Sequence, residues 1–128
     1  DYGNFSSGHP ESDLYIMDLT TGTTKNLENV NSSDVDSYHT WSSSGHWFVF
    51  SSKRMDGLWA RPYIAAFNPE TGETGKAFLL PQKDPMFYDN YTYTYNRPEL
   101  IKTAVKNGKE FEKIIQQAAI PSTPKKIR

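Results

Sequence analysis

"HTWSSSGHWFVFSSKR", residues 39–54, is the stretch on which the fold turns. Tyr38 to Trp41 reads as a short strand, Ser42 to Gly45 as a tight turn, and His46 to Ser51 as a second strand. Side chains alternate along an extended chain, so Trp47, Val49 and Ser51 share one side and Phe48 and Phe50 the other. Both sides are largely apolar. Such a strand is expected to be covered on both faces, unlike the strands of a half-exposed sheet.

Working outward, residues 1–13 are rich in turn formers and read as a loop. LYIMDL (14–19) alternates, meets Thr20–Thr21–Gly22, and is followed by the β-prone TTKNL, which together predict a hairpin. Gly22 is expected to take the positive φ of its turn. Residues 28–37 form a polar connector. KRMDGLWAR (53–61) is a loop broken by Gly57, PYIAAF (62–67) a strand, NPETG a turn, and GKAFLL (75–80) a further strand. Tyr15–Ile16 and Gly22 match Tyr63–Ile64 and Gly72, and Phe5–Ser6–Ser7 matches Phe50–Ser51–Ser52. The period of about fifty residues falls in the range of four-stranded propeller blades.

Composition agrees with a β-rich chain. Aromatics make up 14% of the residues, with eight Tyr, seven Phe and three Trp, while the hydrophobic fraction is only 36%. The 14 basic and 15 acidic residues nearly cancel, so no field of one sign invites nucleic acid or an anionic membrane. Cysteine is absent, which removes disulfides, thiolate metal sites and cysteine nucleophiles. No apolar run reaches the length of a membrane span. The chain opens on Asp1, and the expectation is that an upstream region has been removed.

Trp41–Ser42–Ser43–Ser44–Gly45–His46–Trp47–Phe48–Val49–Phe50–Ser51–Ser52, then Pro62 to Phe67 and the turn ending in Gly72, resembles the TolB-type WD-like β-propeller repeat. In that repeat an aromatic residue precedes Ser-Pro-Asp-Gly, an apolar strand, and an Ile-Tyr-type strand with a glycine turn. Ser43–Ser44 stand here in place of Pro-Asp, and Leu14 to Leu19 with Gly22 fit the strand motif better than the second copy. Phe78 to Pro85 and Tyr95 to Glu99 look like the ending of TolB-like proteins frequent in Bacteroidetes. The resemblance covers residues 1 to about 101 and implies a periplasmic or cell-surface location. A propeller hosts many unrelated functions, so it implies no activity.

The expected fold class is therefore all-β: the C-terminal part of a TolB-like β-propeller, about one and a half blades, with an extended tail and a short C-terminal helix. Residues 1–80 would hold the blades, a partial one at 1–30 and the last at 38–80. Residues 81–128 would be an extension with a helix at about 107–119, where Phe111, Ile114, Ile115 and Ala118 recur at helical spacing. Tyr91, Tyr93 and Tyr95 fall on one side of an extended run and could strap across a blade. A lone blade leaves its apolar faces uncovered, so the remaining blades are expected as partners, on the same precursor, on another chain or in further copies.

Three histidines offer neutral-pH chemistry: His9, His39 and His46. By the resemblance, His39 lies on the innermost strand, which lines a propeller's channel; the alternative is a histidine packed beside Trp41. Asp34 and Asp36 with Ser32, Ser33 and Ser37 offer oxygen ligands but lack the spacing of a calcium loop, and read as a solvated turn. Lys53–Arg54 reads as an exposed loop at the rim. Trp47, Phe48, Phe50, Trp59, Phe67 and Phe78 read as core. Trp59 has a second reading beside Arg61, as an exposed platform for a sugar or peptide. No nucleophile elbow, phosphate loop or zinc signature occurs, and neither a cofactor nor a metal is expected. The function expected is a non-catalytic interaction scaffold of a bacterial envelope, with a protein or glycan ligand, candidate contacts at His39, Trp59 and Arg61, and no nucleic acid. The alternative is part of a propeller-type polysaccharide lyase or hydrolase with a channel metal site at His39.

Overall fold

A computed structural model describes residues 6–104 and 108–118. The chain is mostly β, with two antiparallel sheets and a short C-terminal helix. The strands are β1 (Tyr15–Met17), β2 (Thr24–Asn26), β3 (Asp36–Trp41), β4 (Trp47–Ser52), β5 (Arg61–Asn68), β6 (Glu73–Thr74) and β7 (Phe78–Leu79). Two helices follow, α1 (Phe87–Asn90) and α2 (Gly108–Ala118).

The quoted stretch forms the predicted hairpin, with Gly45 at φ 72° closing the turn between β3 and β4. β3 starts two residues earlier than the sequence indicates, and β4 spans Trp47–Ser52 where His46–Ser51 was expected. β4 pairs in full register with β5, from Trp47 opposite Ala66 to Ser52 opposite Arg61. Of the expected strand 75–80 only Phe78–Leu79 forms, and the other fragment, β6, lies before it at Glu73–Thr74. Both β6 and β7 pair with the far edge of β5, so the sheet is four strands wide. Between them the ladder breaks, and the Gly75 and Ala77 N–H groups donate to Ala66 and Asn29 carbonyls at 2.9 and 3.4 Å.

β1 and β2 form the predicted hairpin, Gly22 at φ 73°. Leu14, Leu27 and Val30 bury against Phe48, Phe50, Tyr63 and Ala65 of the large sheet, and Ile16 and Phe67 pack at the margin. Asn31 locks this arrangement: its side chain accepts from the Leu14 N–H and donates to the Leu14 carbonyl, both at 2.9 Å. The connector 28–37 is thus part of the core rather than a polar tether.

One face of β4 therefore meets the hairpin. The opposite face meets this chain's own tail. Ser51 Oγ donates to the Tyr95 carbonyl and, at 3.0 Å, to that of Asn96, while Thr40 Oγ1 donates to the Pro98 carbonyl. The tail is interrupted by the single turn of α1, with Tyr88 buried. Tyr91 stacks between Phe87 and Tyr95, centroids 4.9 and 5.3 Å away, whereas Tyr93 is exposed. Trp47 and Phe78, read from the sequence as core, are exposed, because the tail borders them without covering them.

Two charged readings need correction. Asp36 is fully buried, not in a solvated turn, and its Oδ1 accepts from Arg54 Nη2 at 2.6 Å. Ser32 donates to Asp36 Oδ2 through its N–H and its hydroxyl, at 2.6 and 2.8 Å. Arg54 is accordingly not at an exposed rim. It folds inward, donating also to Val30 O and Ser52 Oγ at 2.7 Å, with its guanidinium 4.5 Å from the Tyr63 ring centroid. A buried carboxylate requires a fixed partner of opposite charge, and a guanidinium supplies one with spare donors for neighbouring acceptors. The predicted helix at 107–119 appears as Gly108–Ala118, and its two outermost positions lie outside the described residues.

Candidate functional site

The loop 53–60 and the tail meet at one end of the sheet. Asp56 Oδ1 accepts from the Leu58 and Trp59 N–H groups at 2.8 and 2.9 Å, a local turn that leaves Trp59 38% exposed. Burial acts to raise the Asp56 carboxyl, but donation from Trp59 and Leu58 and the charge of Arg61 outweigh it and hold the group below the ordinary aspartate value.

Arg61 opens β5 and is only 3% exposed. It does not stand at the surface beside Trp59. Its guanidinium donates to the carbonyls of Tyr93, Tyr91 and Tyr88 at 2.7, 2.8 and 3.1 Å, fastening three points of the tail onto the strand. The Tyr95 N–H donates to Ala60 O at 3.0 Å, and the Ala60 N–H to Thr94 Oγ1 at 3.1 Å. Tyr88 completes the clamp, its hydroxyl donating to Leu80 O at 2.8 Å. Burial, followed by its hydrogen bond with Tyr91, pushes the Tyr95 hydroxyl above the usual tyrosine range.

Together these contacts shape a shallow cleft of about 310 Å³ lined by Met55, Asp56, Trp59, Tyr91, Asp89 and Thr92, with Arg61 at its base. An exposed indole beside hydrogen-bonding carboxylates and a hydroxyl can stack the flat face of a sugar ring or an apolar side chain and accept its hydroxyl or amide protons. Nothing in this arrangement activates a nucleophile.

His39 lies elsewhere, exposed on β3, the edge strand of the large sheet. The β3–β4 register slips between Ser37 and Thr40, and Tyr38 sits at φ 52°. A bulge with a left-handed residue other than glycine is a costly conformation. Here Arg97 of the tail lies 5.3 Å over the Tyr38 ring. His46 is exposed at its turn, and His9 Nδ1 stands 3.7 Å from the Glu11 carboxylate. Among the described residues no three His, Asp or Glu side chains come together to hold a metal ion, and no helix is long and apolar enough to cross a membrane.

The structure brings Trp59 and Arg61 to one cleft and keeps His39 apart from it. Tyr91, Asp56 and Asp89 are the lining residues that sequence reading missed. The only signal of Tyr91 and Asp89 was the alternating YDNYTYTYN run, which marks a strap but not the element it crosses, and Asp56 had none beyond its place in the Gly57 loop. The chain matches no protein family, no curated protein and no solved structure.

Proposed function

We propose that this chain is a non-catalytic interaction scaffold that contributes the closing part of a larger β-propeller in a bacterial envelope. One observation carries the reading. The β1–β2 hairpin pairs like the outer half of the neighbouring sheet, and among the described residues no strand lies on its other edge. Leu27 donates to Leu14 O and Asp18 to Thr23 O, so the even-numbered backbone groups of β1 face β2. The N–H and C=O groups of Tyr15 and Met17 therefore point away from β2, along an edge that no described strand covers, and both side chains are exposed. In the second copy of the motif, β5 carries β4 along the corresponding edge. An isolated two-stranded hairpin is marginal, and an open edge with apolar side chains is a surface that further strands complete.

Partner binding in this reading falls to the Trp59 cleft, whose stacking platform and acceptors suit a glycan or a peptide. The solution mass of the 128-residue chain, with near-UV circular dichroism beside it, tests the scaffold. A rigid monomer of 14.6 kDa would overturn it, whereas oligomers or co-purification of a companion carrying the missing strands would support it. Trp59→Ala is expected to abolish capture of the ligand while leaving the near-UV spectrum's remaining aromatic bands in place.

A further inference from the structure

On the face of the large sheet away from the hairpin, the tail leaves an apolar groove of about 440 Å³ uncovered. Trp47, Ile64, Phe78 and Leu80 form its floor, and Leu100 and Ile101 form a wall. Helix α2 begins only six residues beyond Lys102, which lines the same groove. The described side chains of α2 are all exposed, Ile114 and Ile115 among them. Both surfaces thus lie on one chain, each apolar, each without a partner among the described residues.

We propose that α2 is the occupant of this groove, seating Ile114 and Ile115 over Ile64 and Phe78 in the same molecule. Three features select it over a foreign segment. Six extended residue steps span at most about 21 Å, so the tether holds the helix within reach of the groove at a high effective concentration. An eleven-residue helix is about 16 Å long and too short to be stable unsupported, so its formation depends on packing an apolar stripe. Positions 111, 114, 115 and 118 place that stripe on one side, opposite Glu112, Lys113, Gln116 and Gln117. The charges also agree, Lys102 at the groove and Glu110, at the flank of the stripe, in the first turn of the helix. Docked in this way, α2 turns a polar surface outward and caps the face that the tail leaves bare, as terminal elements of repeat proteins do.

The chain has no cysteine, so a single Gln117→Cys carries a spin label on the polar side of the helix without competing sites. Paramagnetic broadening of the Trp47 indole and Ile64 methyl signals of the same molecule, at least several-fold above that at Tyr15 on the far side, is the expected result. Adding Ile114→Glu and Ile115→Glu should abolish the broadening; both residues are exposed, so the sheet's own signals serve as the folding control. Mixing a labelled, NMR-silent copy with an unlabelled isotope-enriched one separates sources. Broadening in the mixture as strong as in the singly prepared sample, once scaled for the labelled fraction, would assign the groove to a second copy and overturn the proposal, as would unbroadened Trp47 and Ile64 signals in every sample. Neither result bears on the open edge of β1, which the solution mass tests separately.

Discussion

Tyr15–Ile16 and Tyr63–Ile64 are the same dipeptide in the same strand motif, yet they live in opposite surroundings. Tyr63 is 7% exposed, packed on Phe50 and beneath the Arg54 guanidinium; Tyr15 is 59% exposed. The isoleucines are reversed, Ile16 packing on the core while Ile64 opens into a groove. The difference follows from position in a stack. The hairpin lays its Ile16 side on the Tyr63 side of the sheet, which leaves a Tyr15 side free at one end and an Ile64 side free at the other. Two layers so arranged have unlike outer surfaces.

The comparison can be broken most forcefully in the layer the two copies share. Phe50→Ala, at a fully buried position touching both hairpin and sheet, is expected to cost about 3–5 kcal/mol, enough to lose cooperative denaturant unfolding. Arg54→Met leaves the buried Asp36 carboxylate without its counter-charge and should cost about 3 kcal/mol in the same assay. Tyr63→Ala should cost about 3 kcal/mol, and Tyr15→Ala less than about 0.5 kcal/mol in the isolated chain. Equal costs at the two tyrosines would erase the distinction drawn here. Tyr15→Ala should become damaging only where further strands are present.

Arg61→Lys keeps the charge but loses the planar fork that serves three carbonyls. Chymotryptic cleavage at Phe87 to Tyr95 should accelerate several-fold, with the sheet intact. The smallest effect concerns acid. The Asp56 value is depressed in the folded chain, so its contribution is present above the unfolded aspartate value, near pH 4, and fades as pH falls through the folded value. Asp56→Asn should flatten that acid-side loosening of the Trp59 loop, read as a smaller change in Trp fluorescence.

Much of the architecture was legible because it is written in local patterns. The alternation of WFVFSS and the glycines at 22, 45 and 72 mark strands and turns through side-chain geometry and positive φ, which neighbours in sequence dictate. The cleft was legible in part. Trp59 and Arg61 stood out as candidate contacts, but no local pattern reveals that three carbonyls some thirty residues away accept from Arg61 and bury it. The break between Glu73–Thr74 and Phe78–Leu79 was equally hidden, for there the Ala77 N–H turns to an Asn29 carbonyl of the connector.

By itself the sequence determined which segments extend, where they turn, and that both sides of Trp47–Ser52 demand cover, because hydrophobic alternation and backbone φ are properties of neighbouring residues. Only the tertiary structure decided what provides the cover. The hairpin takes one face and the chain's own tail the other, and Asp36, Arg54 and Arg61 are buried rather than solvated. A charge or an apolar face is satisfied by whatever lies beside it in space, and that neighbour is set by packing across the whole chain.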